Sequence, residues 1–432
     1  MAELKRELGA RDLTLFAIAG MAGARWIPAA AHAGSGSIVL WLLAALLFLI
    51  PLSIAIATLT LRHPAAGGMY LWARADYGPW HGFLCFWIYW MGTMIWFPSA
   101  AMFYVAAAGI EDRTLLVAAS LTAIWAALGM NIVGVKIGKW TENSGATAAW
   151  SLAAVLIALA VLMWRRNGSA TPFHAMPEMN WGTVNLWASI AYGVTGFEVV
   201  GMMGAEIRNP ARDIPRAAWI SSIFITVFYA AGTAALLVIL RPEQITELNG
   251  LAQTAATAGL ALNARWLTPL IAVLVLGSAI GQFGGLGASV ARMPFAAGAD
   301  HLLPAAFAKL HPRWATPHVS MLSFGALASV LLIAIQFGDT ARAAYDALVS
   351  LMVIAGFLPF IYIFGSAWKA GKKLSALLGW FVTLVALVCS VVPPEGTRVW
   401  LFELKLALGT AAVIGSAFLV YRRYPAHKHT HQ

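Results

Sequence analysis

The chain is short of charge. Only 11% of its 432 residues are Asp, Glu, Lys or Arg, against 60% hydrophobic, and the mean hydropathy is +0.76. A soluble globular protein carries about a quarter charged residues, so a water-facing surface of ordinary composition is excluded. Cysteine is nearly missing: Cys85 and Cys389 both sit inside apolar stretches, which excludes a disulfide framework and leaves two packed thiols. Long polar stretches are missing as well. The longest connections, 165–184, 241–263 and 292–317, leave no room for a soluble catalytic domain, so an enzyme is not expected. No phosphate loop is visible, since Gly34-Ser-Gly-Ser37 lacks the lysine and strand context that cradle a phosphate. No cleavable leader is visible either. The first dozen residues are charged and no cleavage site follows, so the first apolar segment is expected to serve as its own insertion signal.

What is present is a run of apolar segments, each long enough to cross hydrocarbon at about 1.5 Å per residue. We count twelve, at 13–33, 38–61, 80–109, 114–134, 144–164, 185–206, 215–240, 264–290, 318–337, 343–367, 374–392 and 399–421. The reading is an all-α membrane protein with a single transmembrane domain over 1–432. The net charge of +10 forms no single patch, so nucleic acid is not an expected partner. Basic residues select the side. Of the 28 Lys and Arg, nineteen fall on the side of the N-terminus and eight on the other, with Arg25 inside a span. Both termini are therefore expected to be cytoplasmic, with the protein in the inner (plasma) membrane.

Two spans are irregular. The first reads Ala17-Ile-Ala-Gly-Met-Ala-Gly-Ala-Arg-Trp-Ile-Pro28, with Gly20, Gly23, Arg25 and Pro28 where an uninterrupted helix would lie. Glycine weakens a helix, and a membrane-embedded arginine costs a few kcal/mol or more without a partner or water. The sixth span repeats the theme five spans later: Gly193, Thr195 and Gly196 precede the carboxylate of Glu198. Matched interruptions in two five-span halves mark a midplane binding site in transporters built from inverted repeats; taken singly, each glycine pair would be close helix packing. Unwound backbone frees N–H groups for a carboxylate and carbonyls for an ammonium or cation. The two breaks together could hold both ends of an amino acid.

At these residues the chain resembles the amino acid–polyamine–organocation superfamily. The resemblance rests on the Gly-rich first span, on Pro64-Ala-Ala-Gly-Gly-Met-Tyr-Leu-Trp72 with Tyr77-Gly-Pro-Trp-His-Gly-Phe83, on Gly196-Phe-Glu198 continuing to Glu206-Ile-Arg-Asn-Pro-Ala-Arg-Asp-Ile-Pro-Arg216, and on Ala291-Arg-Met-Pro-Phe-Ala-Ala-Gly-Ala-Asp-His-Leu-Leu-Pro304. It implies twelve transmembrane helices in a five-plus-five inverted repeat, the LeuT-like fold with broken helices 1 and 6. The repeats would lie near 10–165 and 180–370, and two further helices would cover 374–421. Arg25-Trp-Ile-Pro28 and Trp96-Phe-Pro98 are most similar to the bacterial glutamate/GABA antiporter branch. Ala22, Gly23 and Ala24 fall where the superfamily's first-span motif lies, keeping the backbone contact for a substrate carboxylate but not the serine hydroxyl. By similarity to the arginine/agmatine antiporters, Tyr192 is a gating aromatic, Glu198 a carboxylate of proton coupling, and Gln282 replaces an aromatic. The fifth span, Asn143 to Met163, has no lysine, so a coupling lysine found in some relatives has no counterpart. Ser289 stands alone where sodium-coupled relatives offer a hydroxyl pair, which disfavours sodium.

The candidate substrate-binding set is Ala19, Gly20, Ala22, Gly23, Ala24 and Arg25 of the first span, Tyr192, Gly193, Thr195 and Gly196 of the sixth, Gln282, and Trp90 and Trp96 of the aromatic-rich third span, with Glu198 as coupling residue. Two readings of Arg25 stay open: it attracts an anionic substrate, or it pairs with Glu198 or caps freed carbonyls and holds the break open. To carry a proton Glu198 must be desolvated, and a touching Arg25 would keep it ionised. Glu206 beside Arg208 reads as an ion-pair anchor. The histidines of the tail, His427, His429 and His431, read as solvated chain. The expected function is secondary transport of amino acids or related amine or carboxylate metabolites, with a small-molecule substrate, surrounding lipid, protons as a candidate coupling ion, no cofactor or metal, and a monomer or homodimer. The rivals are a transporter-like sensor, a channel, and a transporter of cationic amino acids or polyamines selected by Glu198.

Overall fold

The computed structural model describes residues 6, 8–110, 112–133, 135–176, 181–247, 249–334, 341–393 and 398–424; the tail histidines lie outside them. Every named element is a helix, and the long helices fall at the places hydropathy assigns. Nine described helices are long and apolar enough to cross a membrane: Ser37–Arg62, Pro79–Ala107, Arg113–Val133, Trp140–Asn167, Pro210–Ile239, Leu267–Ala299, Val349–Lys369, Lys373–Val391 and Val399–Arg423. The first expected span is a pair, Ala10–Met21 and Trp26–His32, bent by 47°. The sixth is also in two pieces, Trp181–Gly193 and Glu198–Met202, and the ninth is the shorter apolar helix His318–Ala334. Faces turned outward carry exposed apolar residues such as Leu46, Trp219, Val330 and Leu419, as lipid contact requires.

Two helices were not expected. Met69–Tyr77 and Gly250–Ala261 lie in connections that read as polar loop. The first is cut off by Gly78 at φ 95°, and Pro79 then opens the next helix. The second is rich in alanine, the best helix former, but too short and too weakly apolar to register as a span. The fifth helix begins at Val135, well before its apolar stretch, and runs through Gly138 without a break.

Two crossings set the bundle. The fifth helix meets Leu267–Ala299 backbone to backbone: a Cβ on Gly145 would fall 2.3 Å from the Cα of Gly281. Close approach of this kind is what small residues permit in a membrane. At the end of the sixth span, Glu206 is anchored, but not by Arg208. Its carboxylate takes both Nε and Nη2 of Arg292, at 2.6 and 3.1 Å, in a pair whose side chains are 2% and 4% exposed. Sequence proximity favoured Arg208; burial decides, because an ion removed from water needs a bidentate partner removed with it. Beside it Leu8 makes a parallel bridge to Ile207, its N–H donating to Glu206 O and its carbonyl accepting from Arg208 N. A second cluster ties the Met69–Tyr77 helix to the end of Leu267–Ala299, where Tyr70 and Arg74 both donate to Asp300.

Candidate functional site

The first break begins where Ala22 turns to φ −76°, ψ 68°. That is an inverse γ-turn, closed by Gly23 N–H on Met21 O at 2.8 Å. The chain re-enters a helix at Trp26, with Pro28 in its first turn, where a missing N–H costs nothing. The sixth span breaks at Val194–Phe197. Thr195 folds back on Tyr192 O through both its N–H and its hydroxyl, and Gly196 sits at φ 119°. A Cβ on Gly196 would press on Met21 Cγ at 3.0 Å and Gly20 O at 3.2 Å. Glycine there satisfies both the left-handed backbone and the approach of one break to the other.

The freed backbone groups are then claimed by side chains. The Tyr229 hydroxyl donates to Met21 O (2.6 Å) and accepts from Gly23 N–H (3.0 Å). Its ring is stacked on Trp41 at 4.2 Å, and Trp41 donates to Thr233. Gln282 donates to Gly20 O and accepts from Tyr104 at 2.6 Å. In the sixth span the Gly196 N–H donates to Glu198 at 2.8 Å, and Tyr89 donates to the other carboxylate oxygen at 2.9 Å. Sequence reasoning left these groups to the substrate; instead the protein satisfies several of them itself, because unpaired backbone in the apolar interior costs several kcal/mol.

Between the breaks lies a cavity of about 30 Å³, room for one or two waters. Of the expected residues, Gly20, Trp96, Tyr192, Gly193, Thr195 and Gly196 line it, and Gln282 and Glu198 do too. Tyr89 and Thr93 join them; with Trp96 they stand at i, i+4 and i+7, one face of the third span. Met21, Trp26 and Leu286 complete the wall. Trp90 does not line it. It packs among Phe86, Trp87 and Phe324, about 240° around the helix from Trp96. Ala19 packs on Gly281, and Ala22, Gly23 and Ala24 lie behind the lining, Gly23 against Trp26 and Gln282. Tyr192 caps one end, edge-on to Trp26 and Phe357. The Ser289 hydroxyl is spent on Gly285 O of its own helix.

Arg25 and Glu198 do not meet. Both are buried, at 3% and 2% exposure, but Glu198 bonds Tyr89 whereas Arg25 bonds Ser99 Oγ at 2.9 Å. Those partners are ten residues apart on one helix, about 15 Å of rise. The Arg25 guanidinium lies over Trp26 at 4.2 Å and near Trp96 at 5.5 Å, and Nη2 reaches only the sulfur of Met352. A much larger cavity, about 710 Å³, opens at the far end of the first span beside His32, His174, Arg241 and Glu243. It holds none of the broken backbone.

Helices of membrane-crossing length, with two interrupted spans face to face around a small polar-lined cavity, define a solute transporter. The interruption supplies polar groups at membrane depth, and the bundle hides them. More particularly, the chain belongs to the amino acid permease family, whose model matches residues 8–402. An uncharacterized transporter of Legionella pneumophila is 24% identical and covers 97% of both chains. The serine/threonine exchanger SteT of Bacillus subtilis is 27% identical over 76% of this chain and 77% of its own. Among solved structures, MhsT in complex with L-phenylalanine superposes with a TM-score of 0.63 at 15% identity, covering 98% of this chain and all of that one. This likeness establishes the LeuT-like fold.

Proposed function

We propose that the protein is a secondary active transporter that moves amino acids, or related amine or carboxylate metabolites, by alternating access, through antiport or proton symport. The observation that carries the reading is the small polar-lined cavity between the two breaks. It is bounded by Trp26, Tyr192 and Trp96 and offers the Glu198 carboxylate and the Gln282 amide. At about 30 Å³ it does not admit an amino acid. Binding therefore requires the two halves to part, and parting on alternate sides is transport. Glu198, already bonded to Tyr89 and Gly196, is the group we assign to proton coupling and to holding an ammonium. The basic-residue bias supports cytoplasmic termini, and we read the membrane as the inner (plasma) one.

Reconstitution into proteoliposomes tests this. Radiolabelled amino acids and amines are offered under imposed proton and substrate gradients, and saturable uptake or exchange is expected. Ligand binding without flux under every gradient would make the protein a sensor, and single-channel conductance would make it a channel.

A further inference from the structure

We propose that in this chain anion recognition has moved from the first-span backbone to the side chain of Arg25, so that the site takes a carboxylate-bearing ligand through that guanidinium. The proposal rests on the transport reading above, because the ligand is taken to be the transported one. Two observations lead to it. First, the backbone position where a carboxylate would be expected is occupied. Gly23 N–H is shared between Met21 O and the Tyr229 hydroxyl, and Tyr229 is fixed by its stack on Trp41. A ligand carboxylate at Gly23 would have to expel a hydroxyl that also holds Met21 O.

Second, Arg25 is a buried cation whose acceptors are poor. Nη1 donates to Ser99, whose own hydroxyl hydrogen goes to Trp96 O; Nη2 meets a thioether; Nε has no hydrogen-bond partner. No ion pair joins it to any described residue. Nε and Nη2 form the side edge of the guanidinium, the fork that grips a carboxylate with two parallel N–H bonds. That edge meets no oxygen. A buried charge without a counter-charge is strongly unfavourable, whereas a carboxylate on that edge would balance it. The guanidinium lies behind Trp26 and Trp96, both of which wall the cavity, so one of those rings must move aside to open the fork to a ligand. Glu198, bonded to Tyr89 well down the third span, is too far away to supply the missing counter-charge. Tyr229 is then a positioning residue: it holds the break closed and keeps Gly23 from competing.

The two tryptophans provide the assay. Purified full-length protein is titrated with sodium acetate and, separately, sodium chloride, at constant ionic strength in methanesulfonate, reading intrinsic fluorescence. We expect a saturable response to acetate in the wild type. It should weaken by about 10- to 100-fold in Arg25→Gln, the range for losing a charge-assisted pair, and less in Arg25→Lys, which keeps the charge but not the fork. Should the Gln variant not fold, the Lys variant decides, because equal acetate affinity in Arg25→Lys and wild type overturns the bidentate assignment. No saturable response to either anion in the wild type, or an undiminished one in Arg25→Gln, overturns the proposal. A response to chloride alone keeps an anion site but overturns its assignment to a ligand carboxylate. An amino acid that is transported should lose affinity as its methyl ester in the wild type and lose little in Arg25→Gln. Arg25-dependent acetate binding without any uptake would retain the site and remove the transport reading; uptake and ester discrimination unchanged in Arg25→Gln would do the opposite.

Discussion

Removing one partner of the Glu206–Arg292 pair should cost far more than removing both. The pair is bidentate and almost wholly buried, and Arg292 also donates to Ala288 O of its own helix. In Glu206→Gln the guanidinium stays in place with no counter-charge, a loss of about 3–5 kcal/mol. At roughly 2 °C per kcal/mol for a large chain, the apparent melting temperature of the detergent-solubilised protein should fall by about 6–10 °C. Glu206→Leu with Arg292→Met removes both charges and fills similar volume. Such replacements are neutral or stabilising in other proteins, so the double variant should recover most of the loss. A double-mutant cycle then gives a coupling of several kcal/mol. The hydrogen bonds of Leu8 to Glu206 O and Arg208 N run through the backbone and should survive in every variant. Additive losses, with the double variant worse than either single one, would refute the claim that this end of the sixth span is held by mutual charge compensation.

The other predictions concern backbone approach and protons. Gly145→Ala places a methyl 2.3 Å from Gly281 Cα and should sharply reduce folded yield, since overpacking typically costs about 1–3 kcal/mol and backbone cannot yield as a side chain does. Gly129→Ala meets nothing within 4 Å and should be neutral or stabilising by up to about 1 kcal/mol; size-exclusion yield and melting temperature report both. Glu198→Gln should flatten the pH dependence of uptake; an unchanged profile would move proton coupling elsewhere. Burial, and then the neighbouring Asp300 carboxylate, hold the Tyr70 phenol well above its ordinary value. The folded protein keeps that proton when the unfolded chain releases it near pH 10. Stability from this group is therefore full below about pH 10 and lost above it, and Tyr70→Phe should make the alkaline decline in melting temperature shallower.

The spans were legible because hydrocarbon thickness imposes a length, and the breaks because Gly23, Arg25, Gly196 and Glu198 are costly inside such a length. The side-chain partners were not. Tyr229 lies more than 200 residues from the turn it clamps, and one tyrosine in an apolar span carries no local signal of a role. Arg292 lay in what read as a loop, so Arg208, its rival for Glu206, was the nearer choice. In the third span nearly every side chain is buried, and hydropathy gives no face, so Trp90 and Trp96 looked equivalent. The polar pair Tyr89 and Thr93 could have resolved them, since Trp96 shares their face and Trp90 does not. Arg25 was visible as an anomaly, but its alternatives required tertiary contacts to separate: Ser99 and Met352 come from other helices, and Glu198 is turned to Tyr89.

On this reading substrate sits between the two interrupted spans. The most direct test is a structure of the protein bound to an amino acid chosen by a thermal-shift screen, in which a true ligand raises stability by mass action. Ligand density is expected between the two breaks, walled by Trp26, Tyr192 and Gln282, in a cavity widened from the present volume of about 30 Å³. Density instead in the larger cavity beside His32, His174 and Arg241, with the breaks unchanged, would contradict it.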